Sequence, residues 1–90
     1  MNYRFRASPT FRKALARLTP DQKRQAKAVF AVFRQNPFDP RLRTHKIHKL
    51  SALYGKTIHA VRIEDNLRAV FFIEGNVVMS VDIGSHAIYR

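Results

Sequence analysis

The segment LRAVFFIEGNVVMSVDI, residues 67–83, predicts two β-strands joined by a tight turn. Apolar side chains alternate along residues 67–73 and again along residues 77–83, and the intervening EGN at residues 74–76 is a strong hairpin signal. Another run of strand-forming residues, 56–63, precedes this pair and is separated from it by a short polar turn. The sequence therefore predicts an antiparallel three-stranded meander.

Alternation within the last two strands sets which side chains share a face of the sheet. We expect helices to cover the odd-numbered set, which comprises Leu67, Ala69, Phe71, Ile73, Val77, Met79, Val81 and Ile83. The even-numbered set is expected on an open face and comprises Arg68, Val70, Phe72, Ser80 and Asp82. That open face would therefore carry an arginine.

The chain before the meander predicts a strand and two helices. Residues 3–6 (YRFR) alternate in the manner of a strand, and Ser8 followed by Pro9 is typical of a helix start. This first helix is expected to end near Leu18. Its apolar stripe is Phe11, Ala14, Leu15 and Leu18.

A second helix follows almost without a linker. Thr19 with Gln22 three residues later forms a capping box, and Asn36 before Pro37 marks the end. The apolar stripe of this helix is Ala26, Val29, Phe30 and Phe33. Two such helices make a helical hairpin, and residues 38–53 are the least regular stretch. We predict an α+β fold, one domain over residues 1–90, with one sheet and the helices packed on one face.

The charge of the chain is strongly unbalanced. Its 90 residues carry 17 Lys and Arg against 6 Asp and Glu, a formal net charge of +11. No acidic residue lies between Arg41 and Ile63, so the cations of this stretch lack local counterions. A polyanion is the default partner of so basic a domain, either a nucleic-acid backbone or an acidic protein segment. The alternative is a basic surface that is merely solvated.

The residue types exclude several classes of site. The chain has no cysteine, which removes disulfides, thiolate zinc sites and cysteine nucleophiles. His45 and His48 have no nearby carboxylate and do not match zinc spacing, so we predict no metal and no other cofactor. The N-terminal residues lack the apolar region of a signal peptide, and no apolar run approaches the roughly 18 residues of a membrane span. We expect a cytoplasmic protein.

Three segments resemble the toxins of the RelE/ParE superfamily, small basic proteins of bacterial type II toxin–antitoxin systems. The first is HKIHKL (45–50), which is similar to the basic segment that follows the helical hairpin in that family. The second is VRIEDNLRAVF (61–71), similar to its arginine-bearing strand pair, and the third is DIGSHAIYR (82–90), similar to its Gly-His-Tyr ending. The resemblance covers essentially the whole chain and implies the same fold.

The resemblance also implies an activity and a partner. Members with a histidine or arginine after the C-terminal glycine mostly cleave mRNA on the ribosome without a metal. In that reaction the RNA 2′-hydroxyl attacks the adjacent phosphate, so the site needs a proton acceptor, cations at the phosphorane and an acid for the leaving 5′-oxygen. The implied partner is a cognate antitoxin whose acidic, partly disordered segment wraps the basic toxin in a hetero-oligomer.

Four residues are the implied catalytic candidates. Arg68 would stabilise the phosphorane, against the alternatives of a solvated arginine or a salt bridge to Asp82. His86 would act as general acid or base, or else is a polar turn residue. His48 is a candidate proton acceptor, and Tyr89 would stack on a base or bind phosphate unless its ring packs under the end strand.

The implied RNA-binding residues are cationic or titratable. Lys46 and Lys49 are expected to contact phosphates, or else belong to a solvated loop. His59, Arg62 and Arg90 complete the set. Comparable members carry paired lysines or a histidine on the strand that holds His59, so one expected cation is missing here and the general base stays unassigned.

Two classes of function stay open at this point. The first is a ribosome-dependent mRNA endonuclease toxin. The second is a non-catalytic binder, either a ParE-like inhibitor of DNA gyrase or a family member without activity. ParE-like proteins typically lack the catalytic set near the C-terminus, so the presence of both Arg68 and His86 favours the endonuclease.

Overall fold

The computed structural model describes residues 2–89, which form a five-stranded mixed sheet and three α-helices. The elements are β1 (Arg4–Ala7), α1 (Pro9–Ala16), α2 (Pro20–Gln35), β2 (His45–Lys46), α3 (His48–Tyr54), β3 (His59–Glu64), β4 (Leu67–Glu74) and β5 (Val77–Gly84). Two short 3₁₀ helices cover Pro40–Leu42 and His86–Tyr89. No helix within the described residues is long and apolar enough to span a lipid bilayer.

The strands lie in the order β1-β5-β4-β3-β2. The predicted meander is confirmed, because β3, β4 and β5 pair as antiparallel neighbours. The first strand joins the sheet beside the last one and runs parallel to it, with Arg4 opposite Val77. Ser8 stabilises the β1 edge of the sheet, since its hydroxyl donates to the carbonyl oxygen of Val81 at 2.8 Å.

Side-chain caps start both helices of the hairpin, as the sequence predicts. The hydroxyl oxygen of Ser8 accepts from the backbone N–H of Phe11 at 3.0 Å. Thr19 and Gln22 form the expected capping box, with distances of 3.2 and 2.9 Å. The second helix ends before Asn36, next to the proline that cannot continue it.

The two hairpin helices cover one side of the sheet, which we name the hairpin face. The buried residues beneath them are Phe11, Ala26, Phe33, Leu42, Val61, Ile63, Leu67, Ala69, Phe71, Val78 and Ile83. Aromatic rings join the two helices to each other and to the sheet: Phe11 of α1 meets Phe30 of α2 edge-on at 5.7 Å, and Phe33 of α2 meets Phe71 of β4 at 4.9 Å. Such edge-to-face pairs add about 0.5–1.5 kcal/mol each beyond the burial of their area.

The opposite side of the sheet, which we name the α3 face, is not open as predicted. A second, smaller core lies there and comprises Ile47, Leu50, Ile58, Ala60 and Val70, with Phe72, Val81 and Ile88 packed against it. The expectation of an open face was wrong because α3 lies over this side of the sheet. Only the part of the face outside that cover is available to a ligand.

A β-bulge in β5 overturns most of the predicted face assignment of that strand. Phe71 pairs with Ser80 and Val70 pairs with Asp82, so Val81 is an extra residue and the alternation changes there. Before the bulge the even-numbered Val78 is the buried residue on the hairpin face, and Ser80 is buried beside it. The prediction that Val77, Met79 and Val81 lie under the hairpin helices was therefore wrong. The prediction that Ser80 lies on the opposite face was also wrong. Ile83, Asp82 and the β4 residues lie on the faces predicted for them.

The stretch predicted as irregular, residues 38–53, contains β2 and most of α3. Ile47 and Leu50, three residues apart, anchor this segment in the second core, and Gly55 ends the helix at φ 67°, a left-handed conformation that favours glycine. Ser51 ties the helix to the following strand, because its hydroxyl oxygen accepts from the N–H of Ile58 at 2.8 Å. This helix was not predicted because its seven residues are too few to show a helical period.

Candidate functional site

Two arginines and a glycine lie side by side across three strands on the α3 face. Arg62 of β3 is directly opposite Arg68 of β4, and Arg68 is directly opposite Gly84 of β5. We name these three residues the arginine row. Like charges directly opposite each other destabilise a sheet, so both guanidinium groups need other partners or an anion.

Each guanidinium of the arginine row has partners on the β3–β4 turn. Arg62 forms an ion pair with Asp65, whose side chain is 92% exposed. Nη1 of Arg68 donates to the carbonyl oxygens of Glu64 and Leu67, the latter at 3.2 Å. These bonds hold the Arg68 guanidinium at the end of the sheet and engage only part of its five N–H donors, so an anion can take the others.

The suggested salt bridge between Arg68 and Asp82 does not form among the described residues. The Asp82 carboxylate instead accepts from the N–H of Ile83 at 2.8 Å. Arg68 is half-buried, and within residues 2–89 its guanidinium donates to backbone carbonyls and not to a carboxylate. The guanidinium is therefore both positioned and available, which is what phosphate recognition requires.

The C-terminal 3₁₀ helix is packed against Gly84, the third member of the row. A Cβ atom at Gly84 would come within 2.7 Å of Cγ2 of Ile88, so only glycine permits this approach. Ser85 starts the turn, since its hydroxyl oxygen accepts from the N–H of Ala87 at 3.2 Å. The backbone of His86 and Tyr89 is thereby placed next to the strand position opposite Arg68. The side chains of these two residues, and Arg90 as a whole, lie outside the described part of the structure.

The predicted basic segment forms an exposed arm at the β2 edge of the sheet. Lys46 lies on the short edge strand β2, and His48 and Lys49 occupy the first turn of α3, all with exposed side chains. Buried Ile47 and Leu50 alternate with them and hold the segment on the sheet. The arm therefore presents its cations to solvent from a fixed backbone.

His59 does not join the arginine row, because it lies on the hairpin face. Its ring is stacked on Phe71 at 5.4 Å and meets Phe38 edge-on at 5.2 Å. Burial lowers the pKa of His59 below its ordinary value, and the nearby charges of Lys46 and His45 lower that pKa further. Nδ1 of the imidazole is buried and has no hydrogen-bond partner among residues 2–89. The structure thus separates His59 from Arg62 and Arg68.

Within the described residues no group of three or more His, Cys, Asp or Glu side chains is arranged to hold a metal ion. Phe38, which was not predicted as a site residue, is 46% exposed and shields His59. Pro37, buried next to it, could have signalled that the chain turns back onto the sheet at this point. Gly55 could likewise have signalled the helix that carries His48.

No protein-family model matches the chain, and no curated protein matches it significantly. Solved structures do match. The RelE–RelB complex from Pyrococcus horikoshii OT3 superposes with a TM-score of 0.72 over 94% of this chain and 96% of that chain, at 16% identity. The chain has the RelE-like toxin fold. The resemblance inferred from the three sequence segments is confirmed at this level.

Two further structures share the RelE-like fold over nearly their whole length. The E. coli DinJ–YafQ toxin–antitoxin complex gives a TM-score of 0.71 at 14% identity, covering 98% of this chain and 97% of that chain. The YoeB/ParE toxin from Agrobacterium tumefaciens gives 0.72 at 10% identity, covering 92% and 98%. At such identities the likeness establishes the fold.

Proposed function

We propose that this protein is the toxin of a type II toxin–antitoxin pair and that it cleaves mRNA on the ribosome without a metal. The observation that carries the proposal is the arginine row, set beside the C-terminal 3₁₀ helix in a RelE-like fold. This arrangement combines a fixed guanidinium with the backbone positions of a histidine and a tyrosine. Phosphoryl transfer needs a cation and a proton carrier at such close quarters.

The proposed reaction assigns one task to each group. The 2′-hydroxyl of the RNA attacks the adjacent phosphorus and loses its proton to a general base, for which His48 is the candidate, while Tyr89 stacks on a nucleobase or binds the phosphate. Arg68 stabilises the charge of the phosphorane. His86 gives a proton to the 5′-oxygen as its bond to phosphorus breaks, leaving a 2′,3′-cyclic phosphate and a free 5′-hydroxyl.

The remaining cations would hold the RNA. Lys46 and Lys49 on the exposed arm, with Arg62 on the row, are proposed to contact phosphates and to position the strand over Arg68. Arg90 is proposed for the same role. His59 is the weakest member of this set, because its ring is enclosed by Phe38 and Phe71 on the other face.

The proposed partner is an antitoxin with an acidic segment. Two of the similar structures are complexes described as RelE–RelB and as a DinJ–YafQ toxin–antitoxin complex. A net charge of +11 on 90 residues favours such a partner, because electrostatic attraction accelerates association with an acidic chain.

The decisive experiment induces the protein in cells and follows protein and DNA synthesis by pulse labelling. We expect translation to stop first, and mRNA fragments to end in 2′,3′-cyclic phosphates. Arg68→Ala should abolish the fragments, whereas Arg24→Ala, a 71% exposed arginine on α2, should not. If replication stops first and gyrase cleavage complexes accumulate, the ParE-like activity replaces this proposal.

A further inference from the structure

Residues 36–44, which we name the Phe38 loop, connect α2 to β2 and hold an exposed aromatic ring in a fixed position. Phe38 is 46% exposed, and its ring meets His59 at 5.2 Å and Phe71 at 6.2 Å. Both contacts are T-shaped, so neither ring is stacked flat on Phe38. The backbone N–H of Phe38 donates to Oδ1 of Asn36 at 3.0 Å. The ring is thus positioned before any partner arrives, which lowers the entropic cost of binding.

The Phe38 loop is closed by its own contacts and contains a strained residue. The Thr44 hydroxyl donates to the carbonyl oxygen of Pro37 at 2.6 Å, and Leu42 is buried in the main core. Arg43 has a φ of 51°, and it is the one residue other than glycine with a positive φ within residues 2–89. Strain of this kind concentrates at functional sites, where the surrounding structure maintains it. An arginine at a position that glycine fills without strain indicates a use for the charge.

Two cations without carboxylate partners flank the ring. The bond that closes the loop brings Arg43 close to Phe38. Lys46 is directly opposite His59 on the paired strands, so its side chain leaves the sheet on the face where Phe38 covers His59. Both cations are exposed, and neither forms an ion pair within residues 2–89. The one acidic side chain of the loop is already paired with Arg41, so it does not neutralise them.

We propose that the Phe38 loop is a nucleotide-binding subsite, in which an unpaired RNA base stacks on Phe38 while Arg43 and Lys46 contact the phosphates on either side of that base. Every base has a flat π-face, and every nucleotide brings the negative charge that balances these cations. An acidic protein segment supplies charge alone, whereas a nucleotide supplies a planar ring and charge in one unit. That the strand is RNA rests on the function proposed above.

The position of the subsite separates it from the chemistry. It lies at the β2 edge on the hairpin face, whereas the arginine row lies on the α3 face. The stacked nucleotide is therefore not the one that is cleaved. Phe38→Ala should raise the concentration of programmed ribosomes needed for half-maximal cleavage and leave the single-turnover rate at saturation near wild type.

The probe is a fluorescently labelled 2′-O-methyl hexa-adenylate, and binding is followed by anisotropy. This strand has no 2′-hydroxyl, so binding is measured whether or not the protein is a nuclease. Phe38→Ala should bind it about tenfold more weakly, and Phe38→Leu should lose as much, whereas Phe38→Trp should keep the affinity because it can still stack. The matched control Tyr54→Ala removes a ring that is 47% exposed on α3 and should bind within about twofold of wild type.

The cationic half of the subsite is tested at the strained position. Arg43→Gly keeps the left-handed turn without strain, so the free energy of unfolding in urea should not fall. The slope of log affinity against log salt should become shallower by about 0.7, the contribution of one phosphate contact to a single strand. Arg24→Ala, which removes an exposed arginine from α2, should leave that slope unchanged.

Three results would overturn the subsite. Equal wild-type affinity for an abasic hexamer of the same charge would mean that charge alone explains binding, and equal losses in Phe38→Ala and Tyr54→Ala would mean that the ring at position 38 has no special role. The third uses the photoreactive residue p-benzoylphenylalanine in place of Phe38 on programmed ribosomes: an adduct with mRNA or with ribosomal RNA supports the subsite and identifies the strand, whereas adducts with protein alone contradict it. A protein that binds the adenylate through Phe38 but never cleaves mRNA contradicts the proposed function and leaves the subsite standing.

Discussion

Arg68 and His59 lie on neighbouring strands but on opposite faces of the sheet, and their surroundings differ. Arg68 stands in a row with Arg62 and Gly84, bonded to backbone carbonyls at the open end of the α3 face. The His59 ring is stacked on Phe71 and makes an edge-on contact with Phe38, and burial lowers the pKa of His59. From the sequence, Arg68 was a catalytic candidate and His59 was an RNA-binding candidate. The face on which a side chain lies, more than its type, decides whether it can meet a phosphate.

The two faces also differ in how much core they hold. The hairpin face has eleven buried residues in its cluster, and the α3 face has five. A small cover leaves the end of the α3 face uncovered, and the arginine row lies there. The larger core therefore supports the fold, while the smaller one leaves room for a ligand.

The largest expected effect tests this difference in packing. Phe71→Ala should lower the free energy of unfolding by about 3–5 kcal/mol, because the ring contacts Phe33, Phe38 and His59. Leu50→Ala, on the α3 face, should lower the free energy of unfolding by about 2 kcal/mol, which is the low end of the range for a buried Leu→Ala change. Urea denaturation of both variants measures the two costs. If Leu50→Ala costs as much as Phe71→Ala, the two cores do not differ as described.

The next effect concerns the chemistry of the arginine row. Arg68→Ala should slow single-turnover cleavage of programmed ribosomes by about 100-fold or more, because one preorganised contact to the phosphorane is lost. His86→Gln should also slow cleavage while RNA binding stays near wild type. Arg24→Ala serves as the control, and equilibrium binding is measured for every variant. Wild-type rates for both Arg68→Ala and His86→Gln would show that the chemistry lies elsewhere.

A smaller decrease in the cleavage rate is expected when Gly84, the glycine of the arginine row, is replaced. Gly84→Ala places a methyl group against Cγ2 of Ile88 and should displace the C-terminal 3₁₀ helix, which slows cleavage by about 10- to 100-fold. Ile88→Leu removes the branching methyl, so the double variant should recover part of the rate. If the double variant is no faster than Gly84→Ala, the close contact is not what positions the helix.

The smallest effect is the pH dependence of stability that His59 contributes. Its pKa is lowered in the folded protein, so the unfolded chain takes up the proton more readily and protonation favours unfolding. The stability from neutral His59 should be fully present above the ordinary pKa of 6.5 and be lost as the pH falls below it. His59→Phe should flatten this part of the curve of unfolding free energy against pH. An unchanged slope would mean that the imidazole is not enclosed.

The sequence was sufficient where the signals are local. Ser8 and the Thr19–Gln22 box start helices through contacts within one turn, and the EGN turn at residues 74–76 sets the β4–β5 hairpin. The bulge at Val81 was not predictable in this way, because apolar residues on both sides of it satisfy either alternation. Both faces of β5 are covered, so apolar residues at Val77, Met79 and Val81 did not indicate which face packs against the hairpin helices.

Candidate site residues were found by type, but their grouping needed the structure. Arg68 and the ending at Gly84 came from sequence segments, and only the strand register makes them direct neighbours. His59 was named with Arg62 among the RNA-binding candidates because of the family resemblance, but three residues along one strand place the two on opposite faces. The contact of Phe38 with His59 joins residues 21 positions apart and has no local signal.

The parallel pairing of β1 with β5 has a consequence for how the molecule forms. Arg4 pairs with Val77, and the Ser8 hydroxyl bonds to Val81, 73 residues away. Contacts of such long range must wait for the loop between them to close, which makes them slow and late in folding. A nascent chain therefore cannot seat its first strand until β5 has been synthesised. The arginine row, which needs β3, β4 and β5 together, is likewise absent throughout most of translation.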